Sequence, residues 1–272
     1  MKKLLSVLLF LMIFSASSFA EGRKVGVLSQ MNTTEEEFKV FNEELRNSEN
    51  FEVIYEDPST VSEFVFFDSL NTMIMALNSE EIDEILLPQS VANYVMNTID
   101  KYVAARVFRI IPISLSFGFR EGDELIGKFN EALREMKADG TLAELEAKYI
   151  SNSTGDNFEP VNFKKYDDEE NTVQIAVTGD LPPIDYVTAD GKPAGFNTAI
   201  IAEISKRLKI NVELVNIHAG SRAASLSSER SDVIFWIQNC ADTKIQPDLP
   251  EGVALSKPYY TFNEIMHIAV KK

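Results

Sequence analysis

The chain predicts an α/β protein with mainly parallel sheets, built as two similar lobes. Three observations carry this. Short apolar runs bounded by turn residues alternate with stretches of helical period along the whole chain. "ALNSEEIDEILL" (76–87) and "SLSSERSDVIFW" (225–236) align without gaps, so that Leu77, Ser79, Glu80, Asp83 and Ile85 match Leu226, Ser228, Glu229, Asp232 and Ile234. Each copy reads as helix, tight turn and buried strand. Finally, "SNSTGDNFEPVNFKKYDDEENT" (151–172) is polar and aperiodic, as a surface linker is.

In chain order, residues 1–20 come first. "MKKLLSVLLFLMIFSASSFA" has Lys2 and Lys3, an apolar run from Leu4 to Phe14 and small residues ending at Ala20. That is the pattern of a secretory signal peptide cleaved after Ala20, with an apolar run too short for a membrane span. A transmembrane anchor is the alternative, and the exit "SASSFA" argues against it. "KVGVLS" (24–29) predicts a strand. "NTTEEEFKVFNEEL" predicts a helix with Thr34 and Glu37 spaced as a capping box. "FDSLNTMIMALNS" predicts a helix facing inward through Leu70, Met73, Ile74 and Leu77, and "IDEILLP" a buried strand. "KADGTLAELEAKYI" (137–150) closes a Gly-broken helical pair, as the end of a protein would. Beyond the linker, "GFNTAIIAEISKRL" predicts a helix with Ile200, Ile201, Ile204 and Leu208 inward, followed by the strand "INVELVNI".

Composition narrows function. Asp and Glu number 42 against 26 Lys and Arg, a formal charge of −16. So acidic a surface repels phosphate backbones and argues against nucleic acid as a partner. The single cysteine, Cys240, rules out an internal disulfide and a cysteine-rich metal site, and reads as a small buried apolar residue. His218 and His267 have no metal-ligand spacing. The sequence contains no G-x-S-x-G elbow, H-E-x-x-H, P-loop or Gly-rich dinucleotide turn, so a binder without cofactor is expected rather than an enzyme.

The second half resembles the opening of the amino-acid type of extracellular solute-binding protein, the receptor subunit of ABC importers. "VTGDLPPIDYVTADGKPAGFNTAIIAEISKRL", "SDVIFWI" and "LSKPYYT" carry that likeness. The first half is similar to the remainder of such a protein, through "KVGVLS…NTTEEEF", "FDSLNTMIMALNSEEIDEILLPQSVANYV" and "SFGFREGDELIGKFNEALREMKADGTLAELEAKYI". The resemblance implies a two-lobed, type II periplasmic-binding fold in circularly permuted order. The second-lobe equivalent would occupy 21–108, a return segment with terminal helices 109–150, the linker 151–172 and the first-lobe equivalent 173–272. It implies an exported, monomeric protein that binds an amino acid or related carboxylate between its lobes and serves importer membrane subunits. A sensory receptor and a dehydratase-like enzyme on the same fold are the alternatives. With one hinge strand near 105–116 left covalently continuous, the permuted order also implies looser closure.

The resemblance places the carboxylate-binding Arg at Lys244, the ammonium-binding Asp at Pro88, and the aromatics of the Pro-Pro loop at Leu181 and Ile184, beside Thr178. New candidates lie nearby. Arg222 sits at a helix start, Trp236, Gln238 and Asn239 occupy the family's Ser-Gly-x-Thr stretch, and Gln89 and Ser90 flank Pro88. Thr33 and Thr34 begin a helix whose amides could face an anion. Each has a plainer alternative. Arg222 reads equally as a solvated helix-start residue, Trp236 as core, Thr33 and Thr34 as caps, and Lys244 as surface.

Overall fold

The computed structural model describes residues 22–28, 35–54, 61–151, 159–168, 171–241, 243–244, 246 and 248–272. The signal-peptide expectation on 1–20, and the candidates Thr33 and Thr34, lie outside them.

The amino-terminal half alternates as expected. Strand β1 (Arg23–Leu28) leads to helix α1 (Glu35–Arg46), which buries Phe38, Phe41 and Leu45 on one face. Glu35, Glu36 and Glu37 in its first turn and Arg46 in its last complement the helix dipole. After the short β2 (Glu52–Val53) come β3 (Val61–Phe67), α2 (Leu70–Asn78), β4 (Glu84–Pro88) and α3 (Gln89–Thr98). Helix α2 begins at Ser69, whose hydroxyl accepts the Thr72 N–H, and it buries Leu70, Met73 and Leu77 of the predicted face. Strand β5 (Tyr102–Arg120) then runs for 19 residues, about 60 Å at the rise of an extended chain.

Helices α4 (Leu125–Ala138) and α5 (Thr141–Glu146) follow, then a wide helical turn at Ala147–Ser151. The carboxy-terminal half consists of β6 (Thr172–Val177), the hairpin strands β7 (Asp180–Leu181), β8 (Asp185–Val187) and β9 (Pro193–Ala194), and α6 (Phe196–Leu208). It continues with β10 (Asn211–Asn216), α7 (Arg222–Ser227), β11 (Val233–Cys240), β12 (Val253–Leu255) and β13 (Tyr260–Val270).

One sheet carries both halves, in the order β10-β6-β11-β5-β13-β4-β1-β3. Parallel strands β10, β6 and β11 form one flank and β4, β1 and β3 the other. Between them β5 and β13 run antiparallel, from Tyr260 opposite Leu115 to Val270 opposite Tyr102, with register shifts between Phe262 and Glu264 and between His267 and Ile268. Strand β13 therefore starts among carboxy-terminal elements and finishes beside β4, where Ile265–Ile268 pair with Ile85–Pro88. The Lys271 N–H then donates to the Lys101 carbonyl at 2.9 Å.

The sequence echo is a repeated structural unit. Glu80 and Glu229, which follow α2 and α7, both take the left-handed conformation, at φ 60° and 59°. Three residues on, Asp83 N donates to Lys24 O at 2.9 Å and its carboxylate accepts Lys24 N at 2.8 Å. Asp232 does the same with Gln174, at 2.7 and 2.9 Å. In each half, one Asp thus fastens the incoming strand to the first strand of its sheet.

Helices α4 and α5 pack on α6, where Arg207 pairs with Asp139 at 2.7 Å and Glu135 at 3.4 Å. Phe129 of α4 packs edge-on to Phe117 and Phe119 of β5. The described part of the linker is laced to this half. Val161 N donates to Pro193 O, and the Asn211 side chain bonds the Tyr166 N–H and the carbonyls of Tyr166 and Asp168.

Candidate functional site

Two groups of sequence candidates meet at the centre of the sheet. The first is a cradle on the carboxy-terminal half. Arg222, which opens α7, is 4% exposed, and its guanidinium lies 4.9 Å from the centre of the Trp236 ring. It is not free for a ligand, because it pairs with the fully buried Asp248. Asp248 also accepts the Gln238 N–H at 2.5 Å. Burial raises the Asp248 carboxyl, and Arg222 pulls it back toward the charged form. An arginine, an aromatic face and a backbone N–H thus hold a carboxylate supplied by the protein itself.

Trp236 interrupts the regularity of β11. It adopts φ 47°, at a break in register between Ile234 and Ile237, and its N–H donates to the Tyr259 phenol at 3.0 Å. A bulge of this kind re-aims a side chain, and a bulky residue with positive φ persists only where its surroundings hold it. The indole N–H is buried without a hydrogen-bond partner. Burial pushes the Tyr259 phenol well above its ordinary pKa.

The second group lies toward the amino-terminal half. Gln89, which opens α3, donates to Glu264 of β13 at 2.6 Å. Ser90 is buried beside the Tyr260 phenol. Pro88 and Gln238, from opposite halves, wall one cavity of about 50 Å³. Phe38, Phe41 and Leu45 of α1, Leu87 of β4, and Ile113 and Ile265 of the crossing strands also line it. Asn239 faces a smaller space next to it, of about 10 Å³.

The remaining candidates fall elsewhere. Leu181 and Ile184 are buried in the main core rather than lining this cavity. The Thr178 hydroxyl and the N–H groups of Thr178 and Gly179 all donate to Asp185, at 2.8 to 3.0 Å. Burial nevertheless pushes the Asp185 carboxyl up to about 6. Lys244 is exposed, and its backbone N–H donates across to Glu44 of α1 at 3.0 Å. A matching bridge joins the halves elsewhere, where Asp180 accepts the N–H of Leu70 at the start of α2. Among the described residues no cluster of His, Cys, Asp and Glu could hold a metal ion. No described helix is long and apolar enough to cross a membrane.

Sequence reasoning missed Asp248, Asp180 and the apolar face of α1. Asp248 stands in "ADTKIQPDLPEG", which reads as surface loop and gives no sign that it folds inward. The i, i+3, i+7 spacing of Phe38, Phe41 and Leu45 was visible, but not the space beneath it.

Residues 173–272 match bacterial extracellular solute-binding proteins, family 3. That segment holds the cradle, β13 and the Pro-Pro hairpin. No curated protein matches the chain significantly. Among solved structures it is similar to the ligand-binding component of an ABC-type import system from Staphylococcus aureus with zinc bound, at 13% identity and a TM-score of 0.41, over 91% of this chain and 65% of that one. It is likewise similar to the periplasmic aliphatic sulphonate binding protein SsuA from Escherichia coli, at 11% identity and a TM-score of 0.40, over 92% of this chain and 65% of that one. The methionine binding protein MetQ gives 13% identity and a TM-score of 0.40, over 92% and 83%. The chain thus spans less than two thirds of the length of the first two.

Proposed function

We propose that the protein is an exported solute-binding protein that captures a small molecule where its two halves meet and presents the liganded form to the membrane subunits of an ABC importer. An amino acid or related carboxylate is the ligand class that the sequence resemblance suggests. The observation that carries this proposal is the cavity walled by both halves, whose Gln238 belongs to the segment that matches the solute-binding family. A cavity bounded by both halves and by the strands between them binds tighter when the halves close, which couples occupancy to shape. The proposal includes a circularly permuted order. Strand β13 enters the amino-terminal half beside β4, where the chain ends, and β1 opens the chain two strands away in the sheet.

A thermal-shift screen of the purified protein against amino acids, small carboxylates and neutral metabolites tests this. A true ligand at a hundredfold its Kd stabilises by about 2.7 kcal/mol. The expected result is at least one concentration-dependent rise in Tm, together with a smaller radius of gyration in solution scattering. A ligand that binds without changing the radius would remove capture by closure.

A further inference from the structure

We infer that the part of the ligand entering the cavity beneath α1 is uncharged and mostly hydrocarbon, with a single hydrogen-bonding group. This rests on the solute-capture reading above and narrows it. The cavity's volume, about 50 Å³, is several times the roughly 10–15 Å³ that one water needs. Its described walls carry no charged side chain. A buried charge without a partner is strongly unfavourable, so a zwitterion cannot place its ammonium or its carboxylate here.

The two polar side chains of the described walls, Asn42 and Gln238, define the polar handle. The Asn42 Nδ2 donates to Phe38 O at 2.8 Å, which leaves its carbonyl oxygen to accept from a guest. Gln238 supplies the amide from the opposite half. A hydroxyl or a primary amide can serve both. Space also continues past the first cavity. A second, of about 20 Å³, shares Asn42, Leu45, Leu86 and Ile265 with it and reaches the stacked rings of Phe51 and Phe108, where Arg46 lies over both rings and His267 also lines the space, so the uncharged character belongs to the first cavity alone. A flat or slender guest therefore has room to extend along α1. The carboxylate-binding cradle cannot take an acid in its place, because Asp248 already occupies it.

The test measures Tm shifts with phenol, isobutanol and benzene against leucine, glutamine and glutamate at matched concentrations. Phenol and isobutanol should raise Tm, and benzene should do so less. Leu45→Phe, which fills the cavity, should abolish all three shifts. Gln238→Leu, at a half-buried position that tolerates change, should bring phenol down to the benzene response. If the amino acids raise Tm and the neutral probes do not, the inference falls while the solute-capture reading stands. If neutral shifts persist unchanged in both variants, the guest sits elsewhere and the inference also falls. If no compound of either class acts, both the inference and this cavity as a capture site are overturned.

Discussion

At the scale of single residues, two placements are unusual enough to test. Glu80 and Glu229 are exposed and left-handed, a conformation that burdens an L side chain by about 1–2 kcal/mol and glycine hardly at all. Replacing either by Gly should stabilise the protein by roughly 0.5–1 kcal/mol, once the greater freedom of glycine in the unfolded chain is subtracted. Denaturant titration of each variant reads this directly, and a loss of stability would mean that the glutamates hold contacts of their own. The second case is Asp248, which neutralises Arg222 in a buried setting. Asp248→Ala should destabilise by about 3–5 kcal/mol, because it strands a buried guanidinium. Adding Arg222→Met should recover much of that loss. Of these residues, sequence had singled out Arg222 and Trp236 but not their partner. A carboxylate in a polar loop gives no pattern, whereas a lone Trp in an apolar strand does.

Among the elements, β13 holds its place through a buried ionic cluster. Glu84 of β4 is fully buried and takes Arg23 of β1, Arg106 of β5 and His267 of β13 at 2.8 Å. One carboxylate therefore joins the first and last strands of the chain to two others. Burial alone would raise the Glu84 carboxyl, but its partners outweigh that and lower it from 4.5 to about 2. Burial lowers His267, and Arg106 and Arg46 add to the effect against the pull of Glu84. Both groups bind fewer protons folded than unfolded, so stability rises with pH through both windows. Unfolding temperature should fall as pH drops below 6.5 through His267, then again from 4.5 toward 2 through Glu84. In Glu84→Gln the lower limb should flatten while the histidine limb changes form, and an unaltered acid profile would remove the cluster from the account. Helices α1, α2 and α6, strands β1, β4 and β10, and the duplicated helix-turn-strand unit were legible in the sequence. The cluster was not. Its four members lie on four strands, and nothing in their spacing brings them together.

For the whole molecule, two strands, β5 and β13, lie side by side between the halves. Lys271, just after β13, is tied to Lys101 and Asp100, which pins that strand against the start of β5. Deleting residues 265–272 removes the pairing with β4 and six of the ten paired positions with β5. Scattering from such a truncation should show a larger radius of gyration than the full chain, with denser sampling of extended forms. An unchanged radius would mean that β5 and the bridges Asp180–Leu70 and Glu44–Lys244 suffice to keep the halves together. The two-lobed α/β plan was legible from sequence because it rests on alternation along the chain. The continuity of the sheet was not, since the pairing of β5 with β13 is a long-range choice that no local pattern signals.

The chain contains a single tryptophan, and it is the one pressed beneath Arg222 on the bulge of β11. The molecule is thus self-reporting. Its entire indole emission originates at 1% exposure, with a cation over the ring and a phenol on its own backbone N–H. Loosening of the Arg222–Asp248 pair, or entry of water as the halves part, should appear as a red-shifted and dimmer spectrum without any added dye.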